Sequence, residues 1–209
     1  MSNIPYDSRS DTLAHILAVR SNLDLVRKIL VNGSNNDKST LLYLLSSLSD
    51  GNEIDEQDML LIQIVNNTYS AYGRRVSRSN IGTILEQRGI IHDASKLLEP
   101  EKSGYDIFKP QLASCKFGSD EYNRIKEQFN EIIKHHYEKN SHHPEHYQNG
   151  INGMNLFDVV EMMCDWKAAS EQYHGNIYDS IETNQKRFNY SDRFKLVLTR
   201  TIDNCFNNR

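Results

Sequence analysis

Five of the eight histidines of this 209-residue chain, His135, His136, His142, His143 and His146, fall within twelve consecutive positions. The stretch then runs into NLFDVVEMMCDW, which carries Asp158, Glu161 and Asp165. No ordinary packing requirement asks for so many imidazoles in so short a span, because histidine is a residue of only intermediate burial. Imidazole nitrogens and carboxylate oxygens are the donors that borderline and hard divalent ions prefer. A chain built this way must fold so that donors from separate segments meet, and that requirement limits its architecture more than any other feature.

The remaining pattern is helical. In SDTLAHILAVRSNLDLVRKIL, Leu13, Ile16, Leu17, Leu23, Val26 and Leu30 recur at three- and four-residue steps, so an amphipathic helix capped by Ser10 or Asp11 is expected, with His15 beside its stripe. The turn-rich NGSNNDKS separates it from two more apolar helices, TLLYLLSSL and MLLIQIVNNTYSAY. Arg74, Arg75 and Arg78 form a small basic patch, read as a solvated loop before a phosphate-facing one. Ile81, Ile84, Leu85, Ile90 and Ile91 predict a buried helical face that delivers His92-Asp93 at its end, with Lys96 one turn further on. Lys96 is placed to meet a substrate phosphate or to pair with Asp93, Glu99 or Glu101.

GYDIFKPQLASCKFGSDEY reads as loop with a short helix, and EYNRIKEQFNEIIKHHYEKN as one helix. On that helix His136 continues the apolar stripe, while His135 sits ~100° away. SHHPEHYQNGINGM is loop. Asn155 is a candidate cap for the next helix, on which Asp158, Glu161 and Asp165 share a face at i, i+3 and i+7. Two further helices follow, in which Arg187, Arg193 and Arg200 are candidate anion contacts. No strand-like alternation occurs, so an all-α, single-domain bundle of about seven to nine helices is expected.

Net charge is −4 with no long basic run, which argues against obligate binding to long nucleic acid. The cysteines Cys115, Cys164 and Cys205 are odd in number and widely spaced, and they point to a reducing compartment. The N-terminus lacks a signal peptide's apolar core and no window is long and apolar enough to span a bilayer, so a cytoplasmic protein is the expectation.

His15, His92-Asp93 and Asp165, taken in order, resemble the pattern of the HD superfamily of metal-dependent phosphohydrolases. His136 and His142-His143 resemble the extra histidines of the longer binuclear version found in HD-GYP phosphodiesterases. Lys96, in HDASK, is similar to the lysine that follows the His-Asp pair there. No GYP element is present, so a cyclic dinucleotide substrate is not implied. A closer likeness, over residues 11–30 and about 80–203, is to an uncharacterised family of small microbial and viral proteins. It is carried by DTLAHILAV, HDASKLLEPEK, GSDEY, HHYEKNSHHPEHYQNGINGM, EMMCDWKAA and NQKRF. The spacing from His15 to His92 exceeds the usual one, and the stretch of about 31–78 reads as a helical insertion.

The resemblance implies a bundle of the HD-domain type with metal ligands His15, His92, Asp93, His136, His142, His143 and Asp165. One or two divalent ions (Mn, Fe, Zn, Mg or Co) would bind there, with Asp93 bridging if there are two. Lys96 would stabilise charge on a phosphoryl group. Glu161 would either orient a histidine ligand or accept a proton. The expected substrate is a small nucleotide-type phosphate ester. A nucleotide-binding protein without turnover, in which Tyr137, Tyr147 or Trp166 stacks on a base, and a helical adaptor with one structural metal remain the alternatives. Self-association is left open.

Overall fold

The computed structural model describes residues 6–33, 36–52, 54–73, 76–116 and 119–207. Its α-helices are α1 (Arg9–Asn32), α2 (Leu41–Ser49), α3 (Met59–Tyr72), α4 (Arg78–Ile91), α5 (Glu101–Ala113), α6 (Asp120–Gln128), α7 (Asn130–Lys139), α8 (Leu156–Gln172), α9 (Ile177–Phe188) and α10 (Asp192–Ile202). The protein is all-α, with no strand among the described residues and more helices than the pattern alone gives. No described helix is long and apolar enough to cross a membrane.

The central packing is α1 against α4 and α8. On α1 the fully buried stripe is Thr12, Val19, Leu23, Val26 and Leu30, with His15 half-buried on the same side. Leu13 and Leu17, expected in that stripe, are 43% and 62% exposed. The inward face is therefore rotated by one position at the N-terminal end, which moves His15 into the interface. The same shift occurs on α4. Ile81 and Leu85 are buried, but Ile90 and Ile91 point outward, and Arg88 and His92 take the inward positions at the helix end. Close approach of α1 and α4 depends on Gly89, where a Cβ would lie 3.4 Å from the Arg20 backbone and 3.5 Å from a Leu23 methyl.

Helices α2, α3, α9 and α10 complete one continuous core, with Leu41, Leu45, Leu61, Ile64, Ile181 and Phe194 among its buried members. Helix α1 begins at Arg9 with Ser8 before it, earlier than the expected cap at Ser10 or Asp11. The cap expected at Asn155 is present: its Oδ1 accepts hydrogen bonds from the Phe157 and Asp158 amides, 2.9 and 3.2 Å. The expected basic patch at Arg74, Arg75 and Arg78 lies outside the described residues and side chains.

Helices α5 to α7 form a second layer. The stretch expected as mostly loop is the α5 helix, carrying Pro110 within it. The single helix expected from Glu121 to Asn140 is divided at Phe129 into α6 and α7. Phe129 explains the layer: it packs on Tyr105 at 5.0 Å and on Phe108 at 4.7 Å, centroid to centroid. Gly104 lets α5 lie directly on α7, since a Cβ there would be 2.8 Å from the Ile132 side chain. Ile125 and Phe129 are buried but stand outside the main core cluster.

Candidate metal centre

The expected ligands lie at the seam between these layers. His15 comes from α1 and Asp165 from α8. His92 follows α4 as its C-cap residue, and Asp93 comes next with φ 54° and ψ 16°, in the left-handed region. A non-glycine residue there costs of order 1 kcal/mol, and such positions concentrate at functional sites. That turn swings the Asp93 carboxylate fully into the interior, at 0% exposure. His136 comes from α7, and His142 and His143 from the loop behind it.

Asp93 has one carboxylate oxygen toward each of two donor sets. Its Oδ2 lies 3.6 Å from His15 Nε2 and 3.6 Å from His92 Nε2, where Asp165 Oδ1 also approaches His15 Nε2 at 2.8 Å. Its Oδ1 lies 3.3 Å from His136 Nε2 and 3.6 Å from His142 Nε2. His143 Nε2 stands 2.9 Å from His136 Nε2. The geometry thus brings together two groups able to hold an ion: His15, His92, Asp93 and Asp165, and Asp93, His136, His142 and His143. His92 Nε2, Asp93 Oδ1 and His142 Nε2 are three of the four buried side-chain polar atoms with no hydrogen-bond partner among the described residues. Orphaned buried donors or acceptors are rare, and here three converge. The donor set fits divalent ions of the Mn, Fe, Co or Zn type.

Behind the imidazoles lies a shell of acids. The Nδ1 atoms of His92 and His142 both face Glu161 Oε1, at 2.8 and 3.1 Å. The Nδ1 atoms of His135 and His136 face the two oxygens of Glu101, at 2.9 and 2.8 Å. An ionised carboxylate only accepts, so each such Nδ1 is the N–H, and on His92, His136 and His142 the Nε2 is left facing Asp93. Glu161 therefore stands on the far side of the rings from the donors' meeting point, which suits orientation rather than proton acceptance from a substrate. It is fixed by Arg88 Nε at 2.5 Å, and Arg88 Nη2 reaches Asp158 Oδ1 at 2.6 Å.

Asp158 also accepts from Ser141 Oγ and the Tyr147 hydroxyl at 2.7 and 2.6 Å. The acids of α8 are thus no solvated stripe: Asp158 and Glu161 are 0% and 4% exposed. Tyr147 is committed to that network and His146 is exposed at Tyr137 O, so neither joins the donors.

Electrostatics favours the ligating states of Asp93, Asp165 and His143. Burial would raise the Asp93 pKa, but Lys96, His92, His136 and His142 hold it well below the carboxylate range. Burial would raise Asp165 as well, but the hydrogen bond with His15 and the nearby His92 and His142 hold it well below the carboxylate range. Burial and the neighbouring His142 push His143 well down, leaving a neutral ring. Burial would lower His92 too, but the Asp93 charge with Asp165 and Glu161 pushes it up to about 10. The carboxylates that hold a proton on His92 are the ones positioned to hold a cation in its place. Lys96 Nζ lies 2.5 Å from Asp93 Oδ2 and 5.6 Å from the Tyr105 centroid, so it neutralises the carboxylate where it was also expected to meet a phosphate.

Two clefts reach the donors. One, of about 270 Å³, is walled by His15, Lys96, Tyr105, Lys109, Asp165 and Tyr173. The other, of about 280 Å³, is walled by His143, Asp165, Tyr137, Trp166, Arg187 and Phe188. Arg193 is bound to Glu56, with Nη2 to Oε2 at 2.8 Å, and takes no part.

Sequence reasoning missed Glu101 and Arg88 as supports. Arg88 carried a signal, since Ile81, Leu85, Arg88 and His92 keep helical spacing and so share the buried face. Glu101 carried none beyond being one of two acids near Lys96.

No curated protein matches the chain, and neither does any solved structure. A family model matches residues 5–208, almost the whole length described above, so the chain belongs to the family of unknown function DUF5662.

Proposed function

We propose that this protein is a divalent-metal-dependent phosphohydrolase of the HD superfamily, acting in the cytoplasm on a nucleotide-type phosphate ester. The observation that carries the reading is Asp93 between two donor sets, with His92 Nε2, Asp93 Oδ1 and His142 Nε2 unpaired and converging. The ordered residues His15, His92-Asp93 and Asp165 support the superfamily. The free cysteines Cys115, Cys164 and Cys205 support a reducing compartment.

In this reading His15, His92, Asp93 and Asp165 hold one ion, and His136, His142, His143 and Asp93 hold a second. Bound ions supply Lewis acidity, lowering the pKa of water and offsetting charge on a phosphoryl group. The reaction adds water across the ester bond: the water oxygen joins phosphorus, the P–O ester bond breaks, and the alcohol leaves with a proton. Lys96 lines the cleft with His15 and Asp165, where its ammonium stabilises the charge gathering on the equatorial oxygens. Glu161 and Glu101 keep the imidazoles in the tautomer that ligates. Purely structural ions are enclosed by their four ligands; here His15, His143 and Asp165 line open clefts, which favours catalysis over an adaptor role.

Elemental analysis of the purified chain, then a panel of nucleotide monoesters and diesters with Mn, Fe, Mg, Co and Zn, tests this. About one or two ions per chain and turnover of one ester class are expected. A chain that stays metal-free after reconstitution overturns the reading.

A further inference from the structure

The cleft between α8 and α9 differs in chemistry from the one between α1 and α5. The α1–α5 cleft presents two ammonium groups, Lys96 and Lys109, beside His15. The α8–α9 cleft is aromatic: Trp166 and Phe188 line it with their rings parallel to within 2° and centroids 6.4 Å apart, and Tyr137 closes one side. Arg187 lies over the Phe188 ring at 4.8 Å and is anchored by an ion pair to Glu145. Asn184, on the same wall, has a side-chain amide that pairs with no other described side chain, and the Trp166 indole N–H is likewise uncommitted. Planar rings for stacking and free amide and N–H groups at the edge are what a heteroaromatic base requires. The cleft also shares His143 and Asp165 with the metal centre, so a base seated there has its sugar directed at the donors.

We infer that the α8–α9 cleft is a nucleobase subsite in which Trp166 and Phe188 supply the stacking surface and Asn184 reads the edge of the base. This rests on the phosphohydrolase reading only for the direction of the sugar and phosphate; the base contact stands without it. The lysine cleft, on the other side of Asp165, then takes the anionic end.

Trp166 is the only tryptophan in the chain, so its fluorescence reports on this cleft alone. The full chain, loaded with Mn, is titrated with AMP, GMP, CMP and UMP, with the matching nucleosides, and with ribose 5-phosphate. Nucleotides and nucleosides are expected to change Trp166 emission, and ribose 5-phosphate is not. By calorimetry, Phe188→Ala should weaken nucleoside binding by roughly tenfold or more while leaving ribose 5-phosphate binding unchanged. Asn184→Ala, a half-exposed position that spares the fold, should narrow the difference in affinity among the four bases. Equal affinity for AMP and ribose 5-phosphate, with no emission change and no effect of either substitution, overturns the subsite and leaves the hydrolase reading intact. Base-dependent binding without hydrolysis of any ester supports the subsite and removes the hydrolase.

Discussion

Asp93 carries more of the site than any other side chain, because each of its oxygens serves a different donor set. Asparagine tolerates the same left-handed backbone, so Asp93→Asn removes the charge without removing the turn. Metal content of that variant, read by elemental analysis, should fall to background, whereas His143→Ala should keep the ion held by His15, His92, Asp93 and Asp165. Lys96 separates differently. It pairs with Asp93 but belongs to neither donor set, so Lys96→Met should retain metal while losing about 10²-fold or more in ester hydrolysis, the scale for losing one group that stabilises transition-state charge. Glu161→Gln leaves the donors present but loosens two rings, and metal affinity measured by competition with a chelator should drop about 10–100-fold. The histidines and aspartates were legible from their clustering and from the order in which they resemble the HD pattern, Lys96 from its place one turn beyond His92, and Glu161 from the face it shares with Asp158 and Asp165. Glu101 was not, because nothing in a surface-looking Glu-Pro-Glu run announces that one carboxylate will be buried beneath two imidazoles.

At the scale of elements, type and order could be read from apolar spacing, while the azimuth of each helix could not. Leu13, Leu17, Ile90 and Ile91 have the right period for a core stripe yet face outward, because His15, Arg88 and His92 occupy the inward line at the site end of α1 and α4. A count of apolar residues turns the helix toward its greasiest side; the buried polar network turns it back. The pairing of Arg88 with Glu161 and Asp158 locks that azimuth across α4 and α8. Arg88→Met therefore leaves two buried carboxylates without their cation. Urea denaturation should show a loss of about 3–5 kcal/mol, unless a second change such as Glu161→Gln is made alongside, which should recover part of it. The segment of helix α5 reads as loop with a short helix, and Gly104 and Pro110 lie within the helix it forms. Gly104 is there for contact with Ile132 rather than for a turn.

Taken as a whole, the molecule is two layers joined by polar chemistry. The main bundle contributes His15, His92, Glu161 and Asp165, and the α5–α7 layer contributes His136 and Glu101, with its own small aromatic centre at Phe129. Contacts across the seam include the Ser8 amide on Asp106 at 2.7 Å and Lys102 on Asp7 at 2.9 Å, pairs that are partly exposed and contribute little each. An ion bound by Asp93, His136 and His142 would tie the α7 layer to the turn after α4 far more firmly. Metal that binds only the folded chain adds about 4 kcal/mol of stability at a thousandfold excess over its Kd. That gain should be uneven in space. On chelation, hydrogen exchange should accelerate first in α5 to α7 and the loop bearing His142 and His143, while the amides of α2, α3 and α10 keep their protection. Acid should mimic the chelator. Ligating imidazoles must be neutral, so binding releases protons and weakens as pH falls, and the pattern of exchange at low pH in the presence of metal should converge on that of the chelated chain. Uniform acceleration across both layers would mean that the seam is held by packing and that the ion does not join them.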